Sequence, residues 1–187
     1  DMGEDYKAFL NESKTERRCA AEIIRRAKEA GFVCICEKKE LKAGDKVYYN
    51  NRGKAVMLSV IGSEPLENGM NIVGSHIDSP RLDIKQNPVY EAGGTTLLKT
   101  HYYGGVKKYQ WVALPIALYG VIVKANGEKV EIAVGDKCGD PVFYISDLLP
   151  HLAKDQMSKT MSEGVEGESL NILIGSLPVD DTEASDR

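Results

Sequence analysis

Asn71-Ile72-Val73-Gly74-Ser75-His76-Ile77-Asp78-Ser79-Pro80 is a short apolar run that delivers a histidine, places an aspartate two residues later and stops at a proline. In extended backbone, side chains at i and i+2 point the same way, so His76 and Asp78 share one face and Ile77 takes the other. An imidazole so placed can bind a metal while the nearby carboxylate fixes its orientation and charge. Asn71 to Ser75, apolar and bounded by turn residues, predicts a buried strand with His76 at its carboxyl end and its ring toward a cleft. A histidine at a strand end is also commonly a hydrogen-bonded structural residue, and the spacing alone leaves both readings open.

Toward the N-terminus, Ser13-Lys14-Thr15-Glu16 has capping-box spacing, and Ala20, Ile23, Ile24 and Ala27 follow at helical intervals until Gly31. This predicts one amphipathic helix whose charged face (Arg17, Arg18, Glu22, Arg25, Arg26, Lys28, Glu29) meets solvent. Phe32 to Cys36, Lys46 to Tyr49 and Lys54 to Ile61 read as strands, the last two joined by a turn at Asn50-Asn51-Arg52-Gly53. A helix and strands with the motif at a strand end suit an α/β layer, in which ligands gather at the carboxyl ends of strands.

Beyond Pro80 the pattern becomes β-rich. Arg81 to Lys85, Thr95 to Tyr103, Trp111 to Lys124 and Lys129 to Val134 read as strands, with Asn126-Gly127 as a hairpin turn. Asp147 to Asp155 predicts a short helix with Pro150 in its first turn, and Met157 to Ser169 a mobile loop. Asp155 to Arg187 carries eight acidic residues against Lys159 and Arg187, without the spacing of a calcium loop, and reads as a solvated surface.

Composition bounds the partners. The chain has 187 residues, 42% of them apolar, and a net charge of -4 that argues against a nucleic-acid partner. No apolar stretch approaches the roughly 20 residues that span a bilayer, and no signal peptide opens the sequence, so no membrane and a cytoplasmic location are expected. Cys19, Cys34, Cys36 and Cys138 form no Cys-x-x-Cys and read as reduced core thiols. Gly93-Gly94 and Gly104-Gly105 lack the spacing of a P-loop or dinucleotide fingerprint.

Gly74 to Leu82, Gly-Ser-His-Ile-Asp-Ser-Pro-Arg-Leu, resembles the His-x-Asp-[Ser/Thr]-Pro motif of the aspartyl aminopeptidase / aminopeptidase I family of co-catalytic zinc exopeptidases. Thr100 to Gly120, with its Tyr-Gly-Gly and Trp111, resembles the opening of that family's inserted domain, and Pro150-His151-Leu152-Ala153 matches a further family string. Leu170 to Pro178 resembles the segment leading back to the catalytic domain. The resemblance implies an α/β zinc-exopeptidase fold carrying an inserted β-rich dimerisation domain. Residues 1-80 would then be the N-terminal part of the catalytic domain, 81-175 the β-rich insert, and 176-187 the start of the return.

The activity implied is release of N-terminal residues from peptide substrates. Two zinc ions about 3.5 to 4 Å apart polarise the scissile carbonyl and activate a water there. His76 is the implied metal ligand, and Asp78 the residue that orients the metal site. His151 is implied to hold substrate in the neighbouring subunit of a homo-oligomer. The other ligands and the general-base glutamate of the family have no counterpart here, so the chain reads as an N-terminal portion of such an enzyme. Acidic-specific members follow the Trp with Phe-Asp-Arg-Asp, whereas Trp111 is followed by Val112-Ala113-Leu114-Pro115, so a neutral or broader preference is at least as well supported. A non-catalytic assembly or binding module built on the β-rich part is the competing reading; paired acidic residues and a second histidine downstream would separate the two.

Overall fold

The computed structural model describes residues 1–177, which divide into two compact units between Ser79 and Pro80. In the first unit a helix not foreseen, α1 (Met2–Glu12), opens the chain. The Asp1 carboxylate accepts from the Gly3 N–H at 3.1 Å, and Glu4 and Asp5 complement the helix dipole. No residue of α1 is buried, although Met2, Tyr6, Phe9 and Leu10 fall at helical spacing on one face, a stripe that periodicity could have marked.

The expected amphipathic helix is α2 (Glu16–Glu29), but its cap sits two residues later than the capping-box spacing suggests. Thr15 Oγ1 accepts from the Arg18 N–H at 3.3 Å. Ser13 instead ends α1, its N–H donating to the carbonyls of Phe9 and Leu10, and among the described residues its buried hydroxyl caps nothing. The stop at Gly31 holds, with φ of 85° and the Phe32 N–H returning 2.9 Å to the Ala27 carbonyl, the left-handed closure that glycine permits. One expectation fails on this helix, because Glu22 is buried with Cys19, Ala20 and Ala27 and does not face solvent.

A three-stranded sheet follows, in the order β1 (Val33–Cys34), β2 (Lys46–Asn51), β3 (Ala55–Val60), the first pair parallel and the second antiparallel. Val47 and Tyr48 of β2 are its buried residues. The expected strand at Phe32 to Cys36 is cut to two residues by a 3-10 turn at Ile35–Glu37. Only Cys19 meets the core-thiol expectation; Cys34 is half-buried, Cys36 and Cys138 are exposed, and all four are free.

The buried strand expected at 71–75 is not formed. The segment has no strand pairing and is exposed throughout, with Ile72 79% and Val73 100% accessible. A strand exists only where its N–H and C=O groups find a neighbour, and no described strand pairs with this one.

In the second unit β4 (Arg81–Ala92), β5 (Thr95–Tyr103) and β8 (Ile172–Gly175) form an antiparallel sheet with β5 central. β4 runs past its expected end because a register shift between Ile84 and Val89 absorbs Pro88, which has no N–H for a ladder. Gly93 and Gly94, with φ of 59° and 74°, make the two-residue hairpin turn between β4 and β5, a conformational use of the pair. β6 (Leu118–Val123) and β7 (Lys129–Val134) pair antiparallel around Asn126-Gly127, as expected. β6 begins well after Trp111, since Ala113 takes φ of 57° and Pro115 cannot donate.

The expected helix at Asp147 to Asp155 is instead a pair of turns followed by the short α3 (Lys154–Ser158). The loop after α3 is anchored: Val165 and Leu170 join Leu98, Ile145 and Ile172 in the core, with Trp111, Tyr109 and Phe143 packed against them. Buried Thr100 donates its hydroxyl to the Leu170 carbonyl, tying β5 to the chain just before β8. Acidic residues of this loop are ion-paired, Glu166 to Lys159 at 3.3 Å and Glu168 to Lys85 at 2.6 Å. The return segment expected at 176–187 lies outside the described residues from position 178 onward.

Candidate metal-binding site

Pro80 stops the segment that carries His76, and nothing in 71–80 is regular secondary structure. Two-residue spacing nonetheless brings the pair together. His76 Nδ1 lies 3.0 Å from the Asp78 carbonyl oxygen and 3.2 Å from Asp78 Oδ1. Both oxygens only accept, so Nδ1 of the neutral ring carries the proton and donates, and Nε2 keeps the lone pair. This is the tautomer a metal-binding imidazole needs when a carboxylate orients it. The ring is not in a cleft, for its side chain is 83% accessible, whereas that of Asp78 is 38% accessible.

His151 belongs to the second unit, on the turn in which the Leu152 N–H donates to the Leu149 carbonyl at 2.8 Å, and it is exposed. Leu148, Leu149 and Leu152 around it are more than half exposed, while Ala153 is buried and begins α3. The third histidine, His101, lies opposite Asp83 in the β4–β5 register and stacks on Tyr102 at 5.7 Å. That supports a structural part for it.

Zinc is the metal the motif resemblance implies, and its fit can be judged on the donors present. Among the described residues, no group of three or more His, Cys, Asp or Glu side chains is placed to hold a metal ion. Catalytic zinc takes three protein ligands. His76 has the right donor atom in the right tautomer, but these residues alone do not make a zinc site.

The charged cluster that the sequence reading missed is on α2. Glu22 accepts from Arg25 Nε at 2.7 Å and Nη2 at 2.8 Å, and from Arg26 Nε at 2.6 Å. The Arg25 fork, aided by Arg26 and opposed by burial, holds the Glu22 carboxyl down to about 2. The signal was the i+3, i+4 spacing of two arginines on one glutamate, which marks a carboxylate held on the helix surface as much as a solvated face.

Comparison with known proteins shows what the chain is similar to. Residues 9–187 match the sequence model of the aminopeptidase I zinc metalloprotease (M18) family. A probable M18 family aminopeptidase 1 from Clostridium acetobutylicum is 52% identical over 190 residues, covering 100% of this chain and 41% of that protein. The crystal structure of an M18-family aminopeptidase from Thermotoga maritima superposes with a TM-score of 0.90 at 43% identity, covering 97% of this chain and 40% of the other. Aminopeptidase I from Borrelia burgdorferi B31 superposes with a TM-score of 0.82 at 45% identity, again over 97% and 40%. The chain thus spans about 40% of the length of these relatives. Its mixed helix and strand architecture is that of a portion of the larger α/β enzymes, and with the His76-x-Asp78 motif inside the matched region, the chain belongs to the aminopeptidase I zinc metalloprotease (M18) family.

Proposed function

We propose that the protein is a zinc-dependent aminopeptidase that removes N-terminal residues from peptides, with His76 as a metal ligand and Asp78 as the residue that orients it. The observation carrying this is the His76–Asp78 contact, which leaves Nε2 as the donor atom on an accessible ring. The remaining ligands and the general base come from outside residues 1–177. When bound, a pair of zinc ions supplies Lewis-acid polarisation of the scissile carbonyl and a water acidic enough to attack near neutral pH. The part of Asp78 is to accept the Nδ1 proton, which fixes the ring and makes Nε2 a better donor. His151 holds substrate in the neighbouring subunit, and the second unit, with Trp111 and its tyrosines, mediates self-association. Among the described residues no helix is long and apolar enough to cross a membrane, and a cytoplasmic peptidase is the reading that fits four free thiols.

In the full-length protein, His76→Ala should abolish bound zinc and activity together. Asp78→Asn should weaken both by roughly 10 to 100-fold, the usual cost of losing an orienting carboxylate. Metal analysis and peptide hydrolysis on the same samples check this; a His76→Ala protein with full zinc content removes the ligand assignment.

A further inference from the structure

Among the described residues β6 and β7 pair only with each other, and no residue of either strand is buried. The Lys124 N–H donates to the Glu128 carbonyl at 2.9 Å, one step beyond the last pair of the ladder. By the alternation of an antiparallel pair, Leu118, Gly120 and Ile122 therefore turn their N–H and C=O groups toward β7, and Val121 and Val123 turn theirs outward. No described strand meets that outer edge. An open edge is ordinarily guarded by charge or proline. In this unit β4 carries Arg81, Asp83, Lys85 and Pro88, and β7 carries Lys129 and Glu131, whereas β6 reads Leu-Tyr-Gly-Val-Ile-Val without a charge. We propose that the self-association put forward above, on which this inference rests, runs through the outer edge of β6, which pairs antiparallel with β6 of a second copy of this chain across a two-fold axis at Ile122.

A second copy fits this edge because the strand is its own complement. With the axis at Ile122, Val121 stands opposite the partner's Val123 and exchanges both backbone hydrogen bonds with it, and symmetry repeats the exchange. Every outward group of the two valines is then satisfied. Gly120 stands opposite the partner's Lys124, and a Cβ at Gly120 would meet nothing within 4 Å, which leaves room for the lysine stem. The union also completes the hairpin. Two strands alone are marginal in water, whereas three or more with an apolar face hold together. Leu118, Ile122, Val130, Ile132 and Val134 share one face of β6–β7. A sheet in the order β7-β6-β6-β7 joins that face to its copy and brings Ile122, 55% exposed in the single chain, to the centre of the join.

The test uses the full-length protein in sedimentation equilibrium. Val121→Pro removes an outward N–H and leaves the β6–β7 ladder untouched, the position at which an edge strand admits proline. Each copy loses a donor and leaves an acceptor unpaired, so the dissociation constant of the pair should rise by about 100-fold. Ile122→Cys reads the same contact without depending on how Val121→Pro folds. It is made in a Cys36→Ser/Cys138→Ser background, which removes the exposed thiols. Residues on the axis lie about 4.5 Å apart between Cα atoms, within disulfide reach. Mild oxidation should give a covalent dimer linked at position 122 of both chains, and adding Val121→Pro should abolish the link. An associated wild type whose affinity Val121→Pro leaves unchanged, or an Ile122→Cys protein that forms no link at position 122, would overturn the β6 contact and leave self-association standing. A wild type that stays monomeric at micromolar concentration would overturn both.

Discussion

Glu22 is a charged residue nine-tenths withdrawn from water, and its partners explain why that is tolerated. Arg25 and Arg26 each donate to it, while their own heads remain partly in solvent, with side chains 53% and 29% accessible. Arg26 also reaches Asp5 of α1 at 2.7 Å and lies over the Phe9 ring at 5.4 Å, so this carboxylate sits at the joint between the two helices. The folded carboxyl titrates at about 2, below its ordinary 4.5. A depressed carboxylate contributes stability above its unfolded pKa and loses it as pH falls through the folded one. The loss therefore falls between about pH 4.5 and pH 2. Glu22→Gln should cost about 1–2 kcal/mol at pH 7, a charge-assisted hydrogen-bond loss reduced by the solvent around the arginines. Denaturant unfolding of both proteins at several pH values checks this: the two stability curves should converge toward pH 2, and parallel curves would separate the effect from titration of Glu22.

At the scale of elements, Thr100 does for the β-rich unit what the arginines do for the helices. Its buried hydroxyl satisfies the Leu170 carbonyl, where the chain enters the core before β8. Thr100→Val keeps the shape and leaves that carbonyl unpaired, a cost of about 1–3 kcal/mol. Amide exchange should quicken in β8 more than in β6 and β7; uniform change across the unit would refute a local tie. The same scale shows what could be read in advance. β5 and β7 run over the residues that alternation and glycine punctuation mark, because each pairs with a neighbour close in sequence and its turn residues are local. β8 and α1 were not foreseen, for different reasons. β8 pairs with β5 from more than 70 residues away, and its pairing partner is invisible in a window of sequence. α1 carries the helical spacing Met2, Tyr6, Phe9 and Leu10, a legible stripe, though none of these residues is buried. Asn71 to Ser75 has the composition of a buried strand but no described neighbour, so apolarity there reports a demand for pairing that these residues do not meet. The His76–Asp78 contact was legible because it depends on two-residue spacing alone, and it forms without the strand. The burial of Glu22 was not, since it depends on what packs over α2.

At the scale of the whole molecule, the two proposed functional histidines lie in different units, His76 in the first and His151 in the second. They are proposed for different work. Loss of His76 removes a metal ligand, whereas His151→Ala should leave zinc content and folding intact and lower turnover, because it removes a hydrogen bond to substrate. If His151 serves the neighbouring subunit, a mixed dimer of His76→Ala and His151→Ala chains contains one site with both an intact metal ligand and an intact partner histidine. Mixing the inactive His76→Ala and the impaired His151→Ala preparations should then restore up to about half the activity of one wild-type dimer in each heterodimer formed. If His151 serves its own chain, every site in the mixture carries one defect, and no combination helps. Heterodimer formation is verified first by native mass spectrometry of differently tagged chains, so an absence of rescue cannot be blamed on failure to exchange. A verified heterodimer no more active than its parents would place His151 outside the neighbouring site and leave the second unit with an assembly role alone.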